Sequence, residues 1–177
     1  MPVNEAVEQI RSRPVSLRRM VEEIYEDARN DVYYYLLTMG LERAEAQDVT
    51  QETFLRLYVA LRDGEEIRSA RGWVFRVAHN LGLKGREKRS RLRPIDGQFS
   101  ELVTAGDNPE RSIIDAQRRE MLDAAIRELS PQQRQCLHLR AEGLRYHEIA
   151  STIGISVSSV AVFLRRAVSK LRKATDE

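Results

Sequence analysis

Trp73, Arg76, Asn80, Lys84 and Arg91 follow one another at intervals of three, four, four and seven residues, the spacing that stacks side chains on one face of an α-helix. Together they offer a large ring, an amide and three cations. These are the materials for stacking a base, hydrogen-bonding a base edge and holding phosphate. The basic character runs on through KGREKRSRLR, residues 84–93, which holds six basic residues and one acid. Arg86, Lys88 and Arg89 therefore extend the set. A core Trp flanked by solvated charges is the competing explanation, and the amide and the continuation into the basic run favour nucleic acid. His79 lies off this face, with no Cys or His nearby to share a metal ion.

A second set lies just upstream, in Asp48–Leu61. There Phe54, Leu57, Tyr58 and Leu61 form the stripe expected to face a core. Asp48, Gln51, Glu52, Leu55 and Val59 form another stripe well round the cylinder. Acid and amide groups mixed with two aliphatics suit docking to a protein, but taken alone the stripe favours burial on two sides within the chain's own bundle.

The third set carries the most specific signal. In YHEIASTIGISVSSVAVFLRRAVSKLRK, residues 146–173, a short helix (Tyr146–Ile153) should lead through a turn at Gly154 into a second helix capped by Ser156. Ile149, Ala150, Ile153, Ile155 and Val160 occupy the positions that a helix-turn-helix needs. A small Ala lets the helices approach, Gly permits the turn, and the aliphatics fill the angle. Val160, Leu164, Ala167 and Leu171 should face inward. Ser156, Ser158, Ser159, Val162, Arg165, Arg166 and Ser169 are left on or beside the outer face, where hydroxyls followed by arginines suit a major groove. A chance αα-hairpin is the alternative. Upstream, Ser130-Pro131 opens a helix that Gly143 closes. Cys136 and His138 within it read as ordinary packing residues.

Positioning these sets requires helices and little else. The chain has 177 residues, 42% hydrophobic and 32% charged, with nine Gly, five Pro and one Cys. One Cys excludes an internal disulfide framework and a multi-Cys zinc site. No constellation of nucleophile, base and orienting group appears, so no enzyme, cofactor, metal or small-molecule substrate is expected. No apolar run approaches the length of a membrane span, and the first residues lack the apolar core of a secretory leader, so a cytoplasmic protein is expected. The formal net charge is only +2. Partitioned over residues 1–83, 84–93, 94–110 and 111–177, however, it is −3, +5, −4 and +4. The acidic stretch PIDGQFSELVTAGDNPE lacks helical periodicity and reads as a flexible linker. The expected fold is all-α: a helical domain over 1–93, a linker over 94–111, and a helix-turn-helix domain over 112–177.

The order DVTQETFLRLY, RGWVFRVAHNL, basic run, acidic linker, IRELSPQQRQCLHLRAEGLRYHEIASTIGISVSSV and LRRAVSKLR resembles bacterial sigma factors of the extracytoplasmic-function group, over about residues 20–175. The resemblance implies a bacterial promoter-specificity subunit that binds core RNA polymerase and promoter DNA. It makes Asp48, Gln51, Glu52, Leu55 and Val59 the stripe that docks on the polymerase clamp, which reverses the preference for burial. Asn80 would sit beside the pocket for a flipped −10 base, with Trp73, Arg76, Lys84, Arg86, Lys88, Arg89 and Arg91 around it. Ser156, Ser158, Ser159, Val162, Arg165, Arg166 and Ser169 would face the −35 duplex. The linker would pass through the polymerase, its acids mimicking nucleic acid. An anti-sigma factor is a further implied partner. Two rivals remain: a free-standing helix-turn-helix regulator, and a sigma mimic that sequesters a regulator. Ala161 stands where the family commonly has a basic residue, Phe163 replaces a commoner polar or aliphatic one, and residues 1–19 match nothing assigned.

Overall fold

In the computed structural model, backbone is described for residues 3–92 and 113–175, and side chains for 16–91 and 120–174. The acidic stretch 94–111 lies outside the described residues. The rest forms seven helices: α1 (Val3–Thr38), α2 (Arg43–Arg62), α3 (Ala70–Leu92), α4 (Ile113–Arg127), α5 (Pro131–Ala141), α6 (Tyr146–Ile153) and α7 (Val157–Thr175). There is no strand among the described residues.

Local chemistry sets the helix ends. Ser69 begins α3 by accepting from the Gly72 N–H at 3.1 Å. Ser130 begins α5 in a reciprocal box with Gln133 (3.3 and 3.1 Å), followed by Pro131. α1 stops where Gly40 takes φ 87°, so that the Leu41 N–H turns back to the Leu36 carbonyl and the Gly40 N–H to that of Leu37. This satisfies two carbonyls that the helix end would otherwise leave orphaned.

Two groups of helices follow from the apolar stripes. α1, α2 and α3 pack together around Val32, Tyr35, Leu36, Phe54, Leu57, Val74, Phe75 and Ala78. Thr50 and Thr53 are buried in α2, and each returns its hydroxyl proton to a carbonyl one turn back at 2.7 Å. α4, α5, α6 and α7 pack around Leu139, Ile149, Val160 and Leu164. α6 and α7 meet at 102°, within the range of a helix-turn-helix. Of the expected joint residues, Ile149, Ala150 and Val160 are buried, and Ile153 and Ile155 pack half-buried against them.

The two groups also touch. α6 lies along α3, the end of α1 meets α5, and the buried apolar residues form one continuous cluster through both groups. At the seam Tyr35 stands between His79 on its own side and His138 on the other, with ring centroids at 6.1 and 5.5 Å. The Tyr35 hydroxyl and His79 Nδ1 are 2.8 Å apart. Burial raises the Tyr35 pKa, with a smaller contribution from Cys136. Burial also pushes His79 down to about 4, helped by the charge of Arg86. A protonated phenol beside a neutral imidazole makes Tyr35 the donor and His79 Nδ1 the acceptor. His138 is thus a residue of the seam, beyond the ordinary helix position expected of it. Cys136 is buried as expected, its thiol pushed up to about 11 by burial, which leaves it protonated and inert near neutral pH.

His79 links stability to acidity. Its folded-state value of about 4 lies below the unfolded value of 6.5. Its contribution is therefore complete above pH 6.5 and is lost as pH falls towards 4, by about 3 kcal/mol at most. Urea denaturation at pH 7 and pH 5 should show a marked loss for the parent chain and a smaller one for His79→Gln. An equal loss in both would contradict the assignment.

Candidate nucleic-acid interface

α3 has two buried faces and one in water. Val74 and Ala78 point into the three-helix group, while Phe75 packs edge-on against Tyr35 at 5.6 Å. The third face carries the predicted stripe: Arg76, Asn80, Lys84 and Arg91 are exposed, as are Arg86 and Lys88. Among the described residues none of these five cations pairs with an acid, so their charge is available to phosphate. Trp73 begins the stripe half-buried, its Nε1–H donating to Glu65 Oε1 at 3.1 Å. That bond holds the indole at the surface.

Arg89 stands apart from the other predicted phosphate ligands. Its Nη2 donates to the Gly40 carbonyl at 2.7 Å and its Nη1 to Glu45 Oε2 at 2.8 Å. It ties α3 to the turn between α1 and α2. Arg89 lies seven residues beyond Gly82 and eleven beyond Ala78, both buried, so it leaves α3 on the packed side of the helix.

On α2 the stripe expected to dock is in solvent. Asp48 and Gln51 are exposed, Leu55 is 63% exposed and Val59 43%. Glu52 is half-buried and accepts from Arg56 Nε at 2.7 Å. Beside this stripe runs an open groove of ≈ 670 Å³ bounded by Leu55, Val59, Ala60, Gly64, Glu65 and Trp73. The groove joins the α2 stripe to the start of the α3 stripe, so the two form one surface. Sequence spacing treats the helices separately and could not show this; only the α2–α3 loop brings them together.

In the C-terminal unit, Ser156 Oγ accepts from the Ser159 N–H at 3.1 Å and lies 2.9 and 2.8 Å from the hydroxyls of Ser158 and Ser159. The three hydroxyls form a compact cap. No acid occupies the first turn of α7, which keeps its partial positive charge clear for a phosphate. Arg165, Arg166 and Ser169 are exposed, and Val162 and Ser159 are half-buried. Phe163 packs against the core cluster, so its departure from the expected residue type serves packing and not groove contact. Ala161 is exposed. Among the described residues no group of three or more His, Cys, Asp or Glu could hold a metal ion, and no single helix is long and apolar enough to cross a membrane.

Two stretches of the chain match known families. Residues 24–92 match the family model of sigma-70 region 2, and residues 119–171 match that of sigma-70 region 4. The ECF RNA polymerase sigma factor SigE of Mycolicibacterium smegmatis is 28% identical over 154 residues, covering 85% of this chain. This chain spans only 60% of that protein's length. The ECF RNA polymerase sigma factor SigM of Bacillus subtilis is 28% identical over 155 residues, 86% of this chain and 93% of that protein. In fold, the chain is similar to the sigma factor RpoE of Bartonella quintana, solved with the anti-sigma factor NepR, at a TM-score of 0.66 and 20% identity, over 88% of this chain and 96% of that one.

The internal ties of Arg89 separate it from its neighbours on α3. Arg89→Ala should cost about 1–2 kcal/mol in chemical denaturation, whereas Lys88→Ala should stay within about 0.5 kcal/mol. Equal effects would mean that Arg89 carries no structural load.

Proposed function

The chain belongs to the sigma-70 family, in its extracytoplasmic-function group, and we propose from this that it is a promoter-specificity subunit acting in the cytoplasm: it binds core RNA polymerase, reads −10 and −35 elements, and helps melt the promoter. The observation that carries the reading is the joined surface of α2 and α3. A regulator that used only a helix-turn-helix would have no need of Leu55 and Val59 in solvent beside a stripe of base- and phosphate-binding residues. In this reading Asp48, Gln51, Glu52, Leu55 and Val59 dock on the clamp. Burying the two aliphatics removes apolar surface from water, and the acids choose the partner by charge.

On the adjacent face Asn80 recognises a base turned out of the −10 duplex. Extrusion costs a few kcal/mol of stacking, so a site that recovers this only for the right base couples melting to sequence. Trp73 supplies a ring at the edge of the melted region, and Arg76, Lys84, Arg86, Lys88 and Arg91 hold phosphates. Arg89 supports the helix that carries them. At the other end Ser156, Ser158, Ser159, Val162, Arg165, Arg166 and Ser169 meet the −35 duplex. The exposed Ala161 leaves that recognition to shape and phosphate position more than to base edges. The chemistry of RNA synthesis belongs to the polymerase, and the chain itself is no enzyme. An anti-sigma factor is the regulatory partner this reading includes, since a sigma factor of similar fold was solved in complex with the anti-sigma factor NepR.

Two experiments test the two halves of the surface. Asp48→Ala/Glu52→Ala should abolish co-purification with core polymerase while leaving the helical content unchanged; a parent chain that never binds core polymerase would sink the reading. Asn80→Ala should slow open-complex formation about tenfold or more, the equivalent of losing one good base contact. Its binding to −35 duplex should stay nearly intact, and equal loss of both would point to misfolding.

A further inference from the structure

Trp73 belongs to α3, yet its ring is anchored from the loop that follows α2. There Gly64 takes φ 83°, and the Glu65 N–H turns back to the Ala60 carbonyl at 2.9 Å. Two residues on, Ile67 packs half-buried against the core. At the far end Ser69 accepts from the Gly72 N–H through its hydroxyl, and from the Trp73 N–H through its carbonyl at 2.9 Å. The loop is thus fixed at both ends and in the middle, and its backbone holds Glu65 in place. From that position the Glu65 carboxylate accepts from Trp73 Nε1–H at 3.1 Å. The indole, partly packed against the core cluster, is tied at its one polar atom and borders the groove beside Leu55 and Val59. Glu65 is exposed, and an acid repels phosphate from a face whose stripe is otherwise basic. By charge alone the position would be better neutral. The indole bond gives the acid a use.

Resting on the promoter reading above, we propose that Glu65 is a positioning residue for the melted strand: it sets the Trp73 ring where an unpaired base can stack on it. Trp73 and Asn80 are seven residues apart, two turns and about 10 Å along one face of α3. One short stretch of single strand therefore reaches both. The two residues ask different things of their support. Asn80 recognises a base edge, whereas a ring stacks on any base, so what matters for the ring is its place. An indole free to turn about its side-chain torsions loses that freedom when a base stacks on it, and holding it beforehand removes the cost from binding. Because the ring also borders the groove, the clamp is the competing partner. The place of Trp73 at the head of the α3 strip, on the face of Asn80, favours the strand.

The test uses the full chain with Glu65→Ala, which removes the acceptor, and Glu65→Gln, which keeps a carbonyl to accept from the indole. Trp73 is the chain's single Trp, so fluorescence reads its ring directly. Quenching by acrylamide should rise for Glu65→Ala and stay near the parent for Glu65→Gln, at unchanged helicity in both. In run-off transcription from fragmented genomic DNA with core polymerase, Glu65→Ala should slow the appearance of discrete transcripts about fivefold or more, the equivalent of losing one stacked base. Glu65→Gln should stay within about twofold of the parent, and core affinity should be unchanged in both. Both variants lose the same charge, which alone would strengthen DNA binding; slowing confined to Glu65→Ala therefore isolates the placement of the ring. Equal rates in the two variants, or a ring no more accessible in Glu65→Ala than in the parent, would overturn the assignment. So would a loss of core affinity in Glu65→Ala, which would give the ring to the clamp. A parent chain that yields no discrete transcript with core polymerase would remove the promoter reading itself, even where the quenching shows Glu65 holding the ring.

Discussion

The constraint on which the rest depends is that α3 must bury two faces and keep the third in water. Its 23 residues supply Val74 and Ala78 to one packing surface and Phe75 and His79 to another, with Gly72 and Gly82 placed where neighbours come too close for a side chain to fit without adjustment. What remains is a narrow strip running from Trp73 past Asn80 to the basic end. Because the buried faces fix the rotation of the helix, the strip's direction is fixed as well. An amide meant to meet an extruded base needs this, since misplacement by a fraction of an ångström forfeits a hydrogen bond.

The same constraint explains the charge. A net of +2 over 177 residues says little. Several acids of α1 and α2 are paired within the protein: Asp31 and Asp27 with Arg71, Glu45 with Arg89, Glu52 with Arg56. Arg76, Lys84, Arg86, Lys88 and Arg91 on α3, and Arg165 and Arg166 on α7, are exposed and form no ion pair among the described residues. Charge of one sign is neutralised locally while the other is presented, which steers a polyanion to particular faces even on a nearly neutral molecule.

Much of this was legible in the sequence. Periodicity located every helix that carries a site, and the helix-turn-helix fell at Tyr146–Ile153 with its turn at Gly154, because Ala, Gly and aliphatic residues at fixed offsets leave few other ways to pack. The outward stripes of α2 and α3 were legible for the same reason. Three features were not. Arg89 read as one more cation, since composition cannot tell a solvated arginine from one reaching a helix C-terminus. His138 read as an ordinary helix residue, because its neighbour Tyr35 is about a hundred positions away. The groove between Leu55 and Trp73 depends on the path of a loop, where spacing carries no information. Contacts between segments distant in the chain are where a one-dimensional pattern runs out.

The central claim is that α2, α3 and α7 together convert a core polymerase into a promoter-reading one. It is tested most directly by run-off transcription from fragmented genomic DNA with purified core polymerase, with and without the chain. The account predicts transcripts with discrete start sites that appear only when the chain is present. A chain that binds both polymerase and duplex DNA, yet yields no discrete start beyond those of the core enzyme alone, would contradict it.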